Sequence, residues 1–230
     1  MTSPAAEFIV ISVGGSIVVP DEVDTSFLRA FREIILKEVK KGKRFILIIG
    51  GGKTCRKYQR AASELTPLTN EDRDWIGIYS THFNAHFMRY VFKGEAHDGI
   101  LTDPSKFPST DKPIIIGAGY KPGASTDIDA VLFAEKSGAK TVINLSNIDY
   151  VYDGDPKKNP GAKPIEKTSW NKYLKTIPRE WVSGMNTPFD PVASQRAEQL
   201  GLAVVIMNGK NTENFSRYLN GESFKGTVIS

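Results

Sequence analysis

Apolar residues in this chain fall into short unbroken runs separated by longer stretches with helical spacing. Phe8 to Val13 and Arg44 to Ile49 read as buried strands, and Ser26 to Lys41 as a helix that places Phe27, Leu28, Phe31, Ile34, Ile35 and Val39 on one broad face. Gly42 stops that helix. Further helices are expected from about Thr54 to Leu65 and from Asn70 to about Phe92, the latter opened by Asn70, Glu71 and Asp72. Pro113 to Ile116 and Thr141 to Leu145 read as strands flanking a helix at Thr126 to Ser137. After a polar stretch from Asp153 to Lys167 come helix Pro191 to Leu200, strand Ala203 to Met207, a helix near Glu213 to Leu219 and a closing strand at Thr227 to Ile229.

Alternating strands and helices predict a three-layer α/β/α sandwich with a mainly parallel central sheet, whose ligands sit beyond the carboxyl ends of the strands. No short repeat, low-complexity tract or linker interrupts it, so residues 1–230 are read as a single domain. The helix expected from Asn70 carries Trp75, Ile76, Ile78, Tyr79, Phe83, Phe87, Met88, Val91 and Phe92, more apolar bulk than one buried face needs. Part of it is expected to meet another subunit.

Three predicted strands run straight into glycine-rich turns: Val13-Gly14-Gly15-Ser16, Ile49-Gly50-Gly51-Gly52-Lys53 and Ile116-Gly117-Ala118-Gly119-Tyr120-Lys121-Pro122-Gly123. Glycine lets backbone N–H groups converge on an anion, and a following helix adds its positive end. Three such turns suggest a site for several phosphates. Two familiar phosphate motifs fail, however. The Walker pattern needs glycine where Leu47 stands, and Gly117, Gly119 and Gly123 are spaced one residue too widely for the dinucleotide fingerprint. The second turn opens a helix carrying Arg56 and Lys57, cations that oppose the helix dipole unless an anion lies there. The competing reading is a tight turn before an exposed basic helix. Asp127 and Asp190 each suit a helix cap, and together with the turns they suit phosphoryl transfer.

Composition narrows the setting. The 230 residues are 40% apolar and 24% charged, with a net charge of +4 spread along the chain. Nucleic-acid binding is a poor first expectation from so dispersed a charge. Apolar runs such as Phe45 to Ile49 are too short to span a bilayer, Met1 to Glu7 lacks a leader-like pattern, and Cys55 is the single cysteine. A cytoplasmic enzyme with no membrane partner is expected. His82 and His86, one helical turn apart with no evident third ligand, read as packing or interface residues.

Several of these segments, in this order, resemble the amino-acid kinase superfamily and, within it, the archaeal-type uridylate (UMP) kinases. They are Val13-Gly14-Gly15-Ser16, Gly50 to Lys53 with Arg56-Lys57-Tyr58, Asp74 to Ile78 with Asn84-Ala85, Pro122 to Asp127, Asn147 to Tyr152 continuing through Asp155-Pro156-Lys157-Lys158, Asp190-Pro191 and Gly226-Thr227. The resemblance implies transfer of a phosphoryl group from ATP to UMP with Mg2+ on the donor, by a homo-oligomer built from dimers, up to a hexamer. It implies an acceptor lobe at about 1–125 and an ATP lobe at about 126–230. Gly51, Gly52, Arg56, Asp74, Ser125 and Thr126 are the implied acceptor-binding residues. Gly14, Gly15, Ser16, Asn147, Tyr152, Asp155, Pro156 and Lys210 are implied on the ATP side. Asp127 and Asp190 are implied at the reaction centre, with Lys53 as a catalytic cation.

Some positions depart from that pattern. Ser12 and Gln195 stand where many relatives have lysine, so Lys53 or Lys121 is expected to supply the missing charge. Tyr150 replaces a usual glycine and His82 a common basic residue. Alternatives at this point are another acceptor (isopentenyl phosphate, carbamate or an acyl amino acid) or a non-catalytic nucleotide-binding regulator or storage protein.

Overall fold

The computed structural model describes residues 7–156, 158–182, 184–185 and 187–230. Lys157, together with the first six residues of the leader reading, lies outside the described set.

The elements run β1 (Phe8–Val13), α1 (Gly15–Val18), α2 (Thr25–Lys40), β2 (Arg44–Ile49), α3 (Gly52–Leu65), α4 (Asn70–Val91), β3 (Ala96–Leu101), β4 (Ile114–Gly117) and α5 (Thr126–Ser137). They continue β5 (Thr141–Ser146), β6 (Val151–Tyr152), β7 (Pro164–Ile165), β8 (Lys167–Thr168), α6 (Trp170–Leu174), α7 (Pro191–Gln199), β9 (Ala203–Asn208), α8 (Thr212–Leu219) and β10 (Thr227–Ile229). Eight strands form one sheet in the order β3-β4-β2-β1-β5-β9-β10-β8. The six from β3 to β9 are parallel, while β10 runs antiparallel to β9. The parallel sheet expected from the sequence is therefore present, with a reversed edge.

Strand residues alternate between two cores, as the pleat requires. Ile11, Val13, Leu47, Ile49, Ile116, Leu145 and Met207 face a core filled from α2, α4 and α8 by Phe27, Phe31, Met88 and Phe215. Val10, Ile46, Ile48, Ile115, Val142 and Val204 face the opposite core with Phe133, Trp170, Tyr173 and Ala193 from α5, α6 and α7. Both faces are covered, so a ligand has access only at the ends of the strands.

The chain steps from β1 to β2 on one side of β1, and later places β5 on its other side. This reversal opens a crevice at the carboxyl ends of the strands, where all three glycine turns emerge. Helix α4 buries Ile78, Ala85 and Met88 but leaves Tyr79 and Phe83 64% and 73% exposed, so its surplus aromatic surface faces outward. No helix of the described residues is long and apolar enough to cross a membrane.

Candidate active site

The first two glycine turns are built against each other. A Cβ on Gly15 would lie 2.0 Å from the Gly52 nitrogen and 2.6 Å from the Gly50 carbonyl carbon, so only glycine permits this approach. Gly50 N donates to Val13 O at 3.0 Å, tying the end of β2 to the end of β1, and Lys53 N donates to Val19 O at 3.2 Å, tying the start of α3 to the end of α1. Asn84, 3% exposed on α4, donates its Nδ2 to Gly50 O at 2.9 Å and Gly51 O at 3.2 Å. With the Gly50 and Gly51 carbonyls held this way, Gly51 and Gly52 sit at the start of α3, and their amides have no acceptor among the described residues. Helix α3 therefore starts two residues before the expected Thr54 and brings its positive end to the turn.

These turns form one wall of a cleft of about 590 Å³. Gly14, Ser16, Gly51, Gly52, Arg56, Asp74, Ser125, Thr126, Asp127 and Asn147 all line it. A single cavity thus brings together most of the residues singled out from the sequence. Ser12, Lys121, Asp129 and Asn144 line it as well, as does the half-buried Cys55, whose thiol burial pushes up in pKa.

Two residues expected at the reaction centre, Lys53 and Asp190, do not themselves line the cleft. Lys53 does not line the cleft; its Nζ lies 3.5 Å from Asp21, which also binds Lys57 at 2.6 Å. Placed just after the glycines, Lys53 emerges on the outer side of α3 and finds a carboxylate there. Asp190 is 1% exposed and sits one layer beneath the cleft. Its Oδ1 caps α7 by accepting from Val192 N and Ala193 N, and its Oδ2 accepts from Ser125 N at 2.8 Å. Asp190 N donates to Asp127 Oδ2 at 3.2 Å, so the two acids are consecutive links in one network. Asp190 therefore ties the start of α7 to the start of α5. Gly15 also lies off the cleft, occupied in contact with the second turn.

Asp127 is the polar centre of the cleft. Its Oδ1 accepts from Ser12 Oγ at 3.1 Å, so the serine at the departing position serves as a hydrogen-bond donor to this acid. Burial, reinforced by the Asp190 carboxylate, pushes Asp127 up to about 7. Asp129, 4% exposed, is raised well above the ordinary aspartate range, chiefly by burial. Its proximity to the site was not evident from its place two residues after Asp127. Gln195, the other departing position, donates to Arg179 O at 3.0 Å and lines an adjoining depression with Asp74 and Trp181.

The remaining ATP-side candidates gather where β5 and β9 end. Asn208 Nδ2 donates to Asp149 Oδ1 at 2.9 Å, joining the Asn147–Tyr152 segment to the turn that carries Lys210. Tyr152, Asp155, Pro156 and Lys210 do not line the cleft itself; the first three lie on β6 and the following turns, and Lys210 on the turn after β9. Tyr150 fits there without a positive φ, since among the described residues only glycines have one. His82 reaches the third glycine turn, with Nε2 2.8 Å from Gly119 O.

Comparison with known proteins agrees with this architecture. The family model described as "Amino acid kinase family" matches residues 7–208. A protein named uridylate kinase from Methanospirillum hungatei is 30% identical over 226 residues, covering 96% of this chain and 94% of its own length. One of the same name from Thermococcus onnurineus is 32% identical, covering 96% of this chain and 98% of its own. The crystal structure of uridylate kinase from Archaeoglobus fulgidus superposes with a TM-score of 0.81 at 29% identity, covering 97% of this chain and all of that one. By fold, glycine-turn arrangement and sequence alike, this chain belongs to the amino acid kinase family.

Proposed function

We propose that this protein is a UMP kinase, transferring the terminal phosphoryl group of ATP to UMP to give UDP and ADP in pyrimidine nucleotide synthesis. The carrying observation is the single cleft with an acceptor-suited end at Gly51, Gly52, Arg56 and Asp74, Asp127 at its middle and Asn147 at its far end. Near-full-length similarity to proteins named uridylate kinase supports the choice of acceptor.

The chemistry asks little of a general base. A phosphate oxygen of UMP attacks the γ-phosphorus of ATP, the bond to the β,γ-bridging oxygen breaks, and the electron pair leaves on ADP. The protein's share is alignment and charge neutralisation. Gly51 and Gly52 amides with the Arg56 guanidinium hold the acceptor phosphate, and Asp74 accepts from its ribose. Ser125 and Thr126 close over the nucleotide, and Asp127 orients the centre. Gly14 and Ser16 lie beside the donor phosphates. Tyr152, Asp155, Pro156 and Lys210 extend the ATP pocket, giving an acceptor lobe at about 1–125 and a donor lobe at about 126–230. Among the described residues no group of His, Cys, Asp and Glu forms a metal site by itself. Mg2+ enters in this reading as the counter-ion of the ATP phosphates, with no protein ligand set assigned.

The reading sets the reaction in the cytoplasm, by a homo-oligomer built from dimers. Exposed Trp75, Tyr79 and Phe83, spaced one turn apart on α4, support such association; a monomer by sedimentation at micromolar concentration would refute it. The function itself is tested by ADP release from Mg-ATP across a panel of nucleoside monophosphates. UMP-dependent release with UDP as product is expected. Binding of both nucleotides without UDP would refute turnover and leave a nucleotide-binding regulator.

A further inference from the structure

The third glycine turn differs from the other two in where its backbone groups go. Gly119 N donates to Thr81 Oγ1 at 2.9 Å, and Gly123 N to Asp74 Oδ2 at 2.8 Å. A backbone hydrogen bond from Tyr120 reaches the buried Asp129. Because Gly119 O can only accept, His82 Nε2 is the donor across their 2.8 Å contact. Amides engaged this way are not available to a phosphate. Of this turn Gly119 and Lys121 line the cleft, and Lys121 brings its one charged side chain.

Charge makes that side chain conspicuous. Among the described residues lining the cleft, the cations are Arg56 and Lys121, facing Asp74, Asp127 and Asp129. Lys53 and Lys57 are taken by Asp21, whereas no ion pair among the described residues involves Arg56 or Lys121. Two anionic nucleotides meeting in this cleft would add their phosphate charge to those carboxylates, with Arg56 and Lys121 as the cationic side chains available to offset it. The position of Lys121 is also defined. It lies between Tyr120, tied to the acid beside the centre, and Gly123, tied to Asp74 at the acceptor end. Its ammonium rests 4.5 Å from the centre of the Tyr120 ring, a contact that holds the cation without neutralising it.

We infer that Lys121 is the cation that contacts the acceptor phosphate opposite Arg56, and that Thr81 and His82 are positioning residues that hold its turn. The inference rests on the phosphotransferase reading above. It assigns to a side chain on the β4 turn the neutralising role that Lys53, turned outward, does not fill.

The experiment compares wild type, Lys121→Ala, Lys121→Arg, His82→Ala and His82→Gln. It measures initial rates against UMP and ATP separately, thermal midpoints, and UMP binding by calorimetry, which needs no turnover. Lys121→Ala is expected to lower kcat/KM for UMP by about 100-fold and weaken UMP binding by about tenfold, with KM for ATP changed less than about threefold. Lys121→Arg recovers most of the loss. His82→Ala loses about tenfold in kcat/KM, and His82→Gln, whose amide can donate to the same carbonyl, recovers it at an unchanged thermal midpoint. UMP affinity and kcat/KM within about twofold of wild type in Lys121→Ala would overturn the inference while leaving the kinase reading intact. If wild type binds UMP but forms no UDP, the kinase reading fails. Calorimetry then still decides on Lys121, because an unchanged affinity in Lys121→Ala overturns the phosphate contact and a lost one supports it.

Discussion

The turns after β1 and β2 and the turn after β4 look alike as sequence, each an apolar strand running into glycines, yet they work by opposite means. In the first two the glycines remove side chains so that two backbones can touch, and the amides of Gly51 and Gly52 stay free at the start of α3. In the third the amides of Gly119 and Gly123 are bound by Thr81 and Asp74, and the turn becomes a fixed mount for a lysine. A glycine-rich loop is therefore no single device. Where its N–H groups go decides whether it binds an anion by backbone or by side chain.

Substitutions that separate the two kinds of turn give the sharpest contrast. Gly15→Ala forces a methyl group into the Gly50–Gly52 backbone, and should destabilise by about 3 kcal/mol or more with loss of activity. Gly123→Ala meets no atom within 4 Å and suffers only its φ of +99°, a cost of about 1–2 kcal/mol. Urea denaturation of both variants checks this, and equal costs would erase the distinction.

Arg56→Ala removes a charged donor beside the free amides. It should raise KM for UMP by about 10- to 100-fold while ATP use is largely kept. Equal losses toward both nucleotides, in the same initial-rate assay, would place Arg56 elsewhere in the cleft.

Asp127 links the two regions, and its ionisation gives a test with a definite sign. Its raised pKa means that the folded state holds a proton that the unfolded chain has released between the ordinary aspartate range and about 7. Wild-type stability is accordingly favoured at low pH and lost as pH rises toward 7. Asp127→Asn cannot ionise. It should match wild type in thermal midpoint near pH 4, gain a few degrees over it by pH 7, and hold that gap above. A pH-independent gap would contradict the assignment. The smallest effect expected is that of Thr81→Val, about 1 kcal/mol in stability from the lost bond to Gly119 N, with UMP binding weakened only as far as Lys121 drifts.

Much of this was legible in the sequence where apolar runs were unbroken. The bounds of β1, β2, α5 and β10 coincide with those read from periodicity. Strand β3 was missed because His97, Asp98 and Gly99 interrupt it, as suits an edge strand with a register shift against β4. Helix α6, only five residues long, is too short to show a period. At the site, the glycine turns pointed to the ends of β1, β2 and β4 where the cleft lies, but the direction of each amide depends on acceptors such as Thr81 and Asp74 that lie far away along the chain. The same holds for the lysines. Lys53 follows the glycines directly and looked well placed, yet Asp21 draws it outward, whereas Lys121 is delivered by a turn whose fastening only the fold reveals.

A crystal structure with UMP bound tests the difference between the turns most directly. The acceptor phosphate should lie within hydrogen-bond distance of the Gly51 or Gly52 nitrogen and of Arg56, with Lys121 Nζ approaching from the opposite side and the Gly119 and Gly123 amides still bound to Thr81 and Asp74. A phosphate seated instead on the Gly119 and Gly123 amides, with Gly51 and Gly52 bare, would contradict the account.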